Sequence, residues 1–314
     1  MKYIQDLTEG ETVVEHYYCK QRQNLKSRAG KTYLSLKLQD KTGVIDGKVW
    51  TLNNDIQGFH ENDFIKVAGT VLFYQNDLQL NINKIRKSLE GEYDPMDYVP
   101  CTPYSIESLW AQLNSMIDSV GQEHLLRLLK NIFSDEKTAD AFKSCSAART
   151  MHHSYLGGLL EHTVSVAAVC DFLASRYKTA NRDILITAAL LHDLGKIYEL
   201  SPFPSNSYTD DGELLGHIVM TSELIEAGCA QINDFPHGLK SLLKHCILSH
   251  HGEYEFGSPK LPKIIEAVIL HYADDLDAKT NAFEMAVAGD NAQAQGDWVG
   301  FSKMFNGNLR KTVF

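Results

Sequence analysis

The chain's 314 residues, 44 % hydrophobic, are enough to bury two or three cores and exclude a disordered composition. The net charge of −10 is unevenly placed: residues 1–90 hold 13 Lys and Arg against 11 Asp and Glu, leaving 17 against 29 for the rest, or +2 and −12, while ten of the 13 histidines follow residue 150. No apolar run approaches the roughly 20 residues of a membrane span, the opening MKYIQDLTEGE has no apolar stretch suited to secretion, and the six cysteines form no C-x-x-C pair; a membrane anchor, a disulfide framework and a cysteine zinc site are not expected. A cytoplasmic location is the expectation.

Residues 1–90 read as β. In KTYLSLKLQDKTGVIDGKVW, Leu34, Leu36 and Leu38 fall on one face and Tyr33, Ser35 and Lys37 on the other, and DKTG turns the chain into a second strand ending at Trp50. DFIKVAGTVLFYQNDLQLNINKI gives two more strands, with Gly69 at a bulge or a close approach, and TVVEHYYCK precedes them all. A short helix fits NNDIQGF between the third and fourth strands. Five short strands in this order resemble an OB-fold, a small barrel that often binds oligonucleotides. The loop KQRQNLKSRAGK carries Lys20, Arg22, Lys26, Arg28 and Lys31 without an acid, which suits a phosphate backbone, and Tyr33 and Trp50 are candidates to stack on unpaired bases. The alternative is a solvated basic loop beside ordinary barrel aromatics.

Three prolines and a cluster of acids mark 91–104 as a linker. Beyond it the period is helical almost throughout: SIESLWAQLNSMIDSV with Ser105 as N-cap, QEHLLRLLKNIF, and SDEKTADAFKSC with Ser134 as cap make a helical connection over 105–150. Five further helices place His162 near the start of the first, His192 and Asp193 at the end of the second, His217 at the start of the third, His250 and His251 at the end of the fourth and Asp274 on the fifth. Each spacing fits one helix plus a connection, and a bundle can aim such groups at one centre.

The order H…HD…H…HH…D resembles the HD-domain metal-dependent phosphohydrolases over residues 151–285, leaving 286–314 as a C-terminal tail. The resemblance implies a two-metal site bridged by Asp193, with His162, His192 and Asp274 on one ion and His217, His250 and His251 on the other. The histidine-rich set suits Mn²⁺ first, then Co²⁺, Fe²⁺ or Zn²⁺, and suits Mg²⁺ and Ca²⁺ poorly. Two ions 3.5–4 Å apart can together activate a nucleophile and polarise a phosphoryl oxygen. In HDLGK, Gly195 then permits a tight turn and Lys196 faces the phosphate, a catalytic role beside Asp193. Asp275 and Asp277 rival Asp274; the family's AD step favours Asp274 and leaves Asp277 to orient a ligand. His245 and His271 read as hydrogen-bonded packing residues, while His152 and His153 divide between phosphate contact and packing.

An OB-fold ahead of HHSYLGGLLEHT and the HD pattern is similar, over nearly the whole chain, to the YhaM family of bacterial 3′-to-5′ exoribonucleases. The expected fold is therefore multi-domain, β then α: an OB-type barrel (1–90) followed by an all-α HD bundle. The implied activity is metal-dependent 3′-to-5′ hydrolysis of single-stranded RNA to nucleoside monophosphates, with single-stranded DNA and self-association left open and no membrane partner. The +2 charge of the first region implies weak, salt-sensitive binding. The alternatives are an HD phosphohydrolase of nucleotides or cyclic dinucleotides with a regulatory barrel, and a non-catalytic nucleic-acid-binding protein.

Overall fold

The computed structural model describes residues 2–27, 30–74, 77–149, 153–288 and 296–312, and the chain divides into two units, 1–101 and 102–314. In the first unit, β1 (Thr12–Lys26), β2 (Thr32–Asp40), β3 (Gly43–Val49), β4 (Phe64–Tyr74) and β5 (Asp77–Lys87) close a barrel in the order β1-β2-β3-β5-β4. The alternation read from the sequence sends Leu34, Leu36 and Leu38 inward against Ile45, Ile65, Val71, Leu80 and Ile85, all at most 3 % exposed. Asp40 makes the DKTG turn by accepting hydrogen bonds from the backbone N–H groups of Thr42 (2.7 Å) and Gly43 (3.1 Å). The expected irregularity at Gly69 is a shift of register between β4 and β5.

Three details differ from the expectation. β1 does not end at Lys20: it pairs with β2 as far as Lys26 and Thr32, so Lys20, Arg22 and Lys26 sit on a strand rather than in a loop. The apolar N-terminal half of β2 needs an edge partner, and the extension of β1 supplies it. No helix forms over NNDIQGF. There the backbone bonds to β5 instead, Gln57 N–H donating to Ile85 O and Ile85 N–H to Asp55 O, both at 2.9 Å, so the segment spends its hydrogen bonds on the sheet. The stretch read as a linker packs on the barrel as far as Val99, with Tyr98 and Val99 buried and Gln39 donating to Tyr98 O at 3.0 Å.

The second unit contains α1 (Ile106–Asp118), α2 (Glu123–Phe133), α3 (Glu136–Ser144), α4 (Gly158–Arg176), α5 (Arg182–Leu191), α6 (Lys196–Glu199), α7 (Asp210–Ala230), α8 (His237–Ser249) and α9 (Ile265–Ala288). Ser105 caps α1 by accepting from Ser108 N–H at 3.2 Å. The cap of α3 is Asp135, not Ser134: the Asp135 carboxylate accepts from Thr138 N–H at 2.9 Å, and the ionised acid is also the better partner for the positive helix end. α5 is buried from Ile184 to Leu191 and forms the centre of the bundle. α4, with 19 residues and a mean hydropathy of 1.2, is long and apolar enough by composition to cross a membrane, contrary to expectation, but 56 % of it is buried inside this unit, as in a core helix. Of the tail, residues 286–288 continue α9, and residues 296–312 include two strands. β6 (Trp298–Ser302) and β7 (Gly307–Arg310) form a hairpin, anchored where Phe305 packs edge-on against Phe283 of α9 at 5.2 Å.

Candidate metal centre

All but one of the candidate ligands stand near a place where a helix begins, ends or breaks; Asp274 is the exception. His162 lies in the first turns of α4; His192 caps α5 and Asp193 follows; Lys196 opens α6; His250 caps α8 with His251 next; Asp274 lies within α9. His217 is on α7, one residue beyond a break at Gly216, whose φ of +74° only glycine adopts readily. The break lets His217 N–H donate to Glu199 Oε1 at 2.9 Å. Gly195 serves a different purpose from the tight turn expected. Its φ of −61° is ordinary, but a Cβ there would lie 2.4 Å from His217 O, so it is the close approach of α7 that requires glycine.

These residues converge. Asp193 Oδ2 is 3.4 Å from His192 Nε2 and 3.6 Å from His162 Nε2, whereas Oδ1 faces His217 Nε2 at 3.4 Å and His250 Nε2 at 3.7 Å. Asp274 Oδ1 stands on the first side, 3.1 Å from His162 Nε2 and 3.9 Å from His192 Nε2. His251 joins the second, its ring centroid 4.3 Å from that of His250 and 5.2 Å from that of His217. The other six positions singled out in the sequence thus gather around the Asp193 carboxylate, His162, His192 and Asp274 on one side and His217, His250 and His251 on the other.

The hydrogen bonds behind the rings fix their chemistry. The Nδ1–H of His162 donates to Asp277 (2.7 Å), that of His192 to Ala189 O (2.8 Å), that of His217 to Glu199 (2.9 Å), that of His250 to Ile247 O (2.7 Å) and that of His251 to Phe256 O (2.8 Å). The rings of His162, His192, His217 and His250 therefore turn Nε2 toward Asp193, and all five have acceptors behind that favour this tautomer. Among the described residues, Asp193 Oδ1, His217 Nε2 and His250 Nε2 are buried with no hydrogen-bond partner. A buried acceptor without a donor is costly, and a cation among these atoms removes the penalty. His–Asp groups of this composition can hold divalent cations.

Electrostatics agree. Burial opposes ionisation of Asp193, yet Lys196 and His192 hold its carboxyl well below the usual range. Asp274 is likewise held far down against burial, chiefly by His162. Burial pushes His250 well below the ordinary imidazole value, and His251 is lowered for the same reason, so both rings stay neutral as ligands must. His162 is the exception: burial disfavours its charge, but Asp274 and Asp277 outweigh burial and raise it to about 9. Lys196, with Nζ 2.6 Å from Asp193 Oδ2, is raised by that carboxylate despite burial and stays charged.

Asp277 stands behind the His162 ring. It accepts from His162 Nδ1, from His153 Nε2 at 2.9 Å and from Ser165 Oγ. His153, 3 % exposed, is thus placed in packing rather than at a phosphate; His152 lies outside the described residues. His245 accepts from Lys263 N–H and His271 donates to His250 O, both at 2.9 Å. Sequence reasoning missed Glu199 and Ser165. An acid three residues after Lys196, and so on the same face of that single turn as Lys196, was the one available signal for Glu199.

On the barrel, Tyr33 and Trp50 stack at 4.6 Å with 27° between the rings, and Trp50 is 45 % exposed. Lys26 and Lys31 are exposed, and Lys20 donates to Gln39 at 3.1 Å. Arg22 is turned elsewhere: it is half-buried, with its guanidinium over the Phe59 ring at 5.3 Å. It shares the inward parity of Leu36, with which it pairs, so its place on the strand takes it out of the basic row. Arg28 lies outside the described residues.

Residues 159–279 match the family model of the HD domain, and residues 20–87 match that of the OB-fold nucleic acid binding domain. The chain thus holds a region similar to the HD domain after a region similar to the OB-fold nucleic acid binding domain. Among solved structures, the second OB-fold domain of replication protein A from Methanococcus maripaludis is 20 % identical, over 30 % of this chain and 98 % of that one, at a TM-score of 0.24. A replication protein A heterotrimer bound to ssDNA matches at 18 % identity, over 28 % and 64 %, with a TM-score of 0.22. The aspartyl tRNA synthetase from Entamoeba histolytica matches at 14 %, over 57 % and 37 %, with a TM-score of 0.25.

Proposed function

We propose that this protein is a metal-dependent 3′-to-5′ exonuclease of single-stranded RNA, with the seven converging side chains as ligands of two divalent ions, Mn²⁺ foremost, and the barrel as the strand-binding part. The observation that carries the reading is the set of orphaned acceptors around Asp193 in a chain that also carries an OB-fold nucleic-acid-binding domain. Direction and RNA preference rest on the similarity to the YhaM family set out above. Bound there, two ions supply Lewis acidity and lower the pKa of a water nucleophile. The protein's own groups do the rest. Asp193 holds both sides of the centre together, Asp277 and Glu199 fix the His162 and His217 rings, and Lys196, still protonated and lining the cavity beside Asp193, is placed to donate a hydrogen bond to a phosphoryl oxygen.

A second reading, hydrolysis of free nucleotides, is favoured by the size of that cavity, about 480 Å³, which is in the range of small-molecule sites. One experiment separates them. With Mn²⁺, 5′-labelled single-stranded RNA should shorten as a ladder, a 3′-phosphate or 3′-terminal hairpin should protect it, and chelator or Asp193→Ala should stop it while the circular dichroism spectrum stays unchanged. Release of phosphate from nucleotides without any ladder would establish the second reading, and cleavage of a circular RNA would refute the exonuclease reading.

A further inference from the structure

The cavity beside the metal centre has two kinds of wall. Asp193, Lys196 and Asp274 line it with charge, and Phe256, Ala278 and Met304 line it with apolar surface. Phe256 is 65 % exposed and Met304 43 %, so neither is spent on a core. Both are nevertheless held from behind. The carbonyl of Phe256 accepts the Nδ1–H of His251 at 2.8 Å, which ties the loop after α8 to a ligand ring. Met304 lies in the turn between β6 and β7, and the next residue, Phe305, packs against Phe283 on α9, the helix that carries Asp274.

The polar groups among the remaining lining residues have partners already. His271 donates to His250 O at 2.9 Å, and Lys279 pairs with Asp275 at 2.8 Å. A molecule that fits must be anionic at one end, to meet the ions and Lys196, and flat and apolar at the other, with little need of hydrogen bonds from the protein. A nucleotide has that polarity.

We infer that Phe256 and Met304 hold the base of the nucleotide whose phosphate lies at the metal centre, an assignment that rests on the function proposed above. An aromatic face stacks on any base, and a thioether packs favourably against an aromatic ring. Because His251, His271, Asp275 and Lys279 are each already engaged by a partner, the subsite is expected to accept all four bases and to read only that a base is present. The C-terminal hairpin thereby becomes part of the substrate site rather than an appendage packed on the bundle.

The test is equilibrium binding of adenosine 5′-monophosphate and of ribose 5-phosphate to the full chain loaded with Mn²⁺, measured by calorimetry. A stacking contact of ordinary strength corresponds to roughly tenfold in affinity. The wild-type protein should therefore bind the nucleotide about tenfold more tightly than the sugar phosphate. Phe256→Ala and Met304→Ala should each remove part of that difference, and the double variant all of it, with affinity for ribose 5-phosphate unchanged. Equal affinity of the wild type for the two molecules, absence of binding by either, or a preference that survives in the double variant overturns the assignment. So does an equal loss for both molecules, which would mean that the two side chains act on the metal centre through His251 or α9. The two readings fail separately: a protein that shortens no RNA but still tells the nucleotide from the sugar phosphate through these residues keeps the subsite and loses the exonuclease.

Discussion

The centre around Asp193 is an arrangement of lone pairs, and its most informative member is the ring that does not match the others. His250 and His251 are kept neutral by burial, but His162, set between Asp274 and Asp277, has its pKa raised to about 9. In the metal-free protein a proton on His162 Nε2 takes the cation's place, and an incoming ion has to displace it. Apparent metal affinity should therefore climb with pH, by up to about tenfold per unit for one displaced proton, and flatten near pH 9. The metal-free fold should behave oppositely. A raised folded-state pKa contributes stability that is complete below the unfolded value near 6.5 and is lost as pH rises through about 9. Melting temperatures with and without chelator from pH 6.5 to 9.5 should thus diverge, and parallel curves would remove His162 from the ligand set. The seven positions that the structure brings together were singled out by residue type and order and by the resemblance to the HD domain, which alone chose Asp274 over Asp275 and Asp277. The partners behind the rings were mostly not legible, since Ala189 O, Ile247 O and Phe256 O are backbone carbonyls and any residue supplies a carbonyl.

At the scale of elements, the chain's periodicities located nearly every helix and strand, and they failed where backbone hydrogen bonds rather than side chains decided. β1 runs six residues further than its apolar pattern because β2 needs a partner, and residues 53–59 pair with β5 although their composition suits a helix. The tail hairpin was hidden for a related reason: two short strands around Lys303–Asn306 bury only Val299 and Leu309, too few positions to show a period. The contact of α6 with α7 is the element-level feature most open to test. A Cβ on Gly195 would meet His217 O at 2.4 Å and Thr221 N at 2.9 Å, both backbone atoms, whereas one on Gly238, in the first turn of α8, meets nothing within 4 Å. Gly195→Ala should destabilise the protein by about 1–3 kcal/mol through overpacking, lowering the melting temperature by several degrees, and should weaken metal binding because His217 moves with α7. Gly238→Ala should leave both within error. Equal behaviour of the two variants would mean that α7 yields freely and that the close approach does not position the ligand.

On the scale of the whole chain, charge and chemistry are divided: +2 over residues 1–90, and −12 over the remainder with its ten histidines. That contrast was legible from composition; the chain divides into units at residue 101, with matched residues 20–87 in the first and 159–279 in the second. What composition did not separate was which basic residues are available to a strand, because Arg22 is drawn onto Phe59 while Lys26 and Lys31 remain exposed. If the barrel holds RNA for the metal centre, each of those two lysines neutralises one phosphate, and removing it should reduce the slope of log K against log salt by about 0.7. Lys26→Ala with Lys31→Ala should therefore weaken binding of long single-stranded RNA most at low salt. Such contacts hold the substrate equally before and during reaction, so the loss should fall on KM with kcat unchanged. A dinucleotide occupies little more than the cavity beside the metals, and its cleavage should not change. Replacing Tyr33 and Trp50 by alanine should act on long RNA in the same way but without altering the salt slope, since stacking releases no counterions. Measured against both substrates over 50–200 mM salt, an unchanged KM for long RNA in the lysine variant would detach the barrel from catalysis. Equal losses on long RNA and dinucleotide would make the β1–β2 hairpin a structural support of the chain rather than a guide for its substrate.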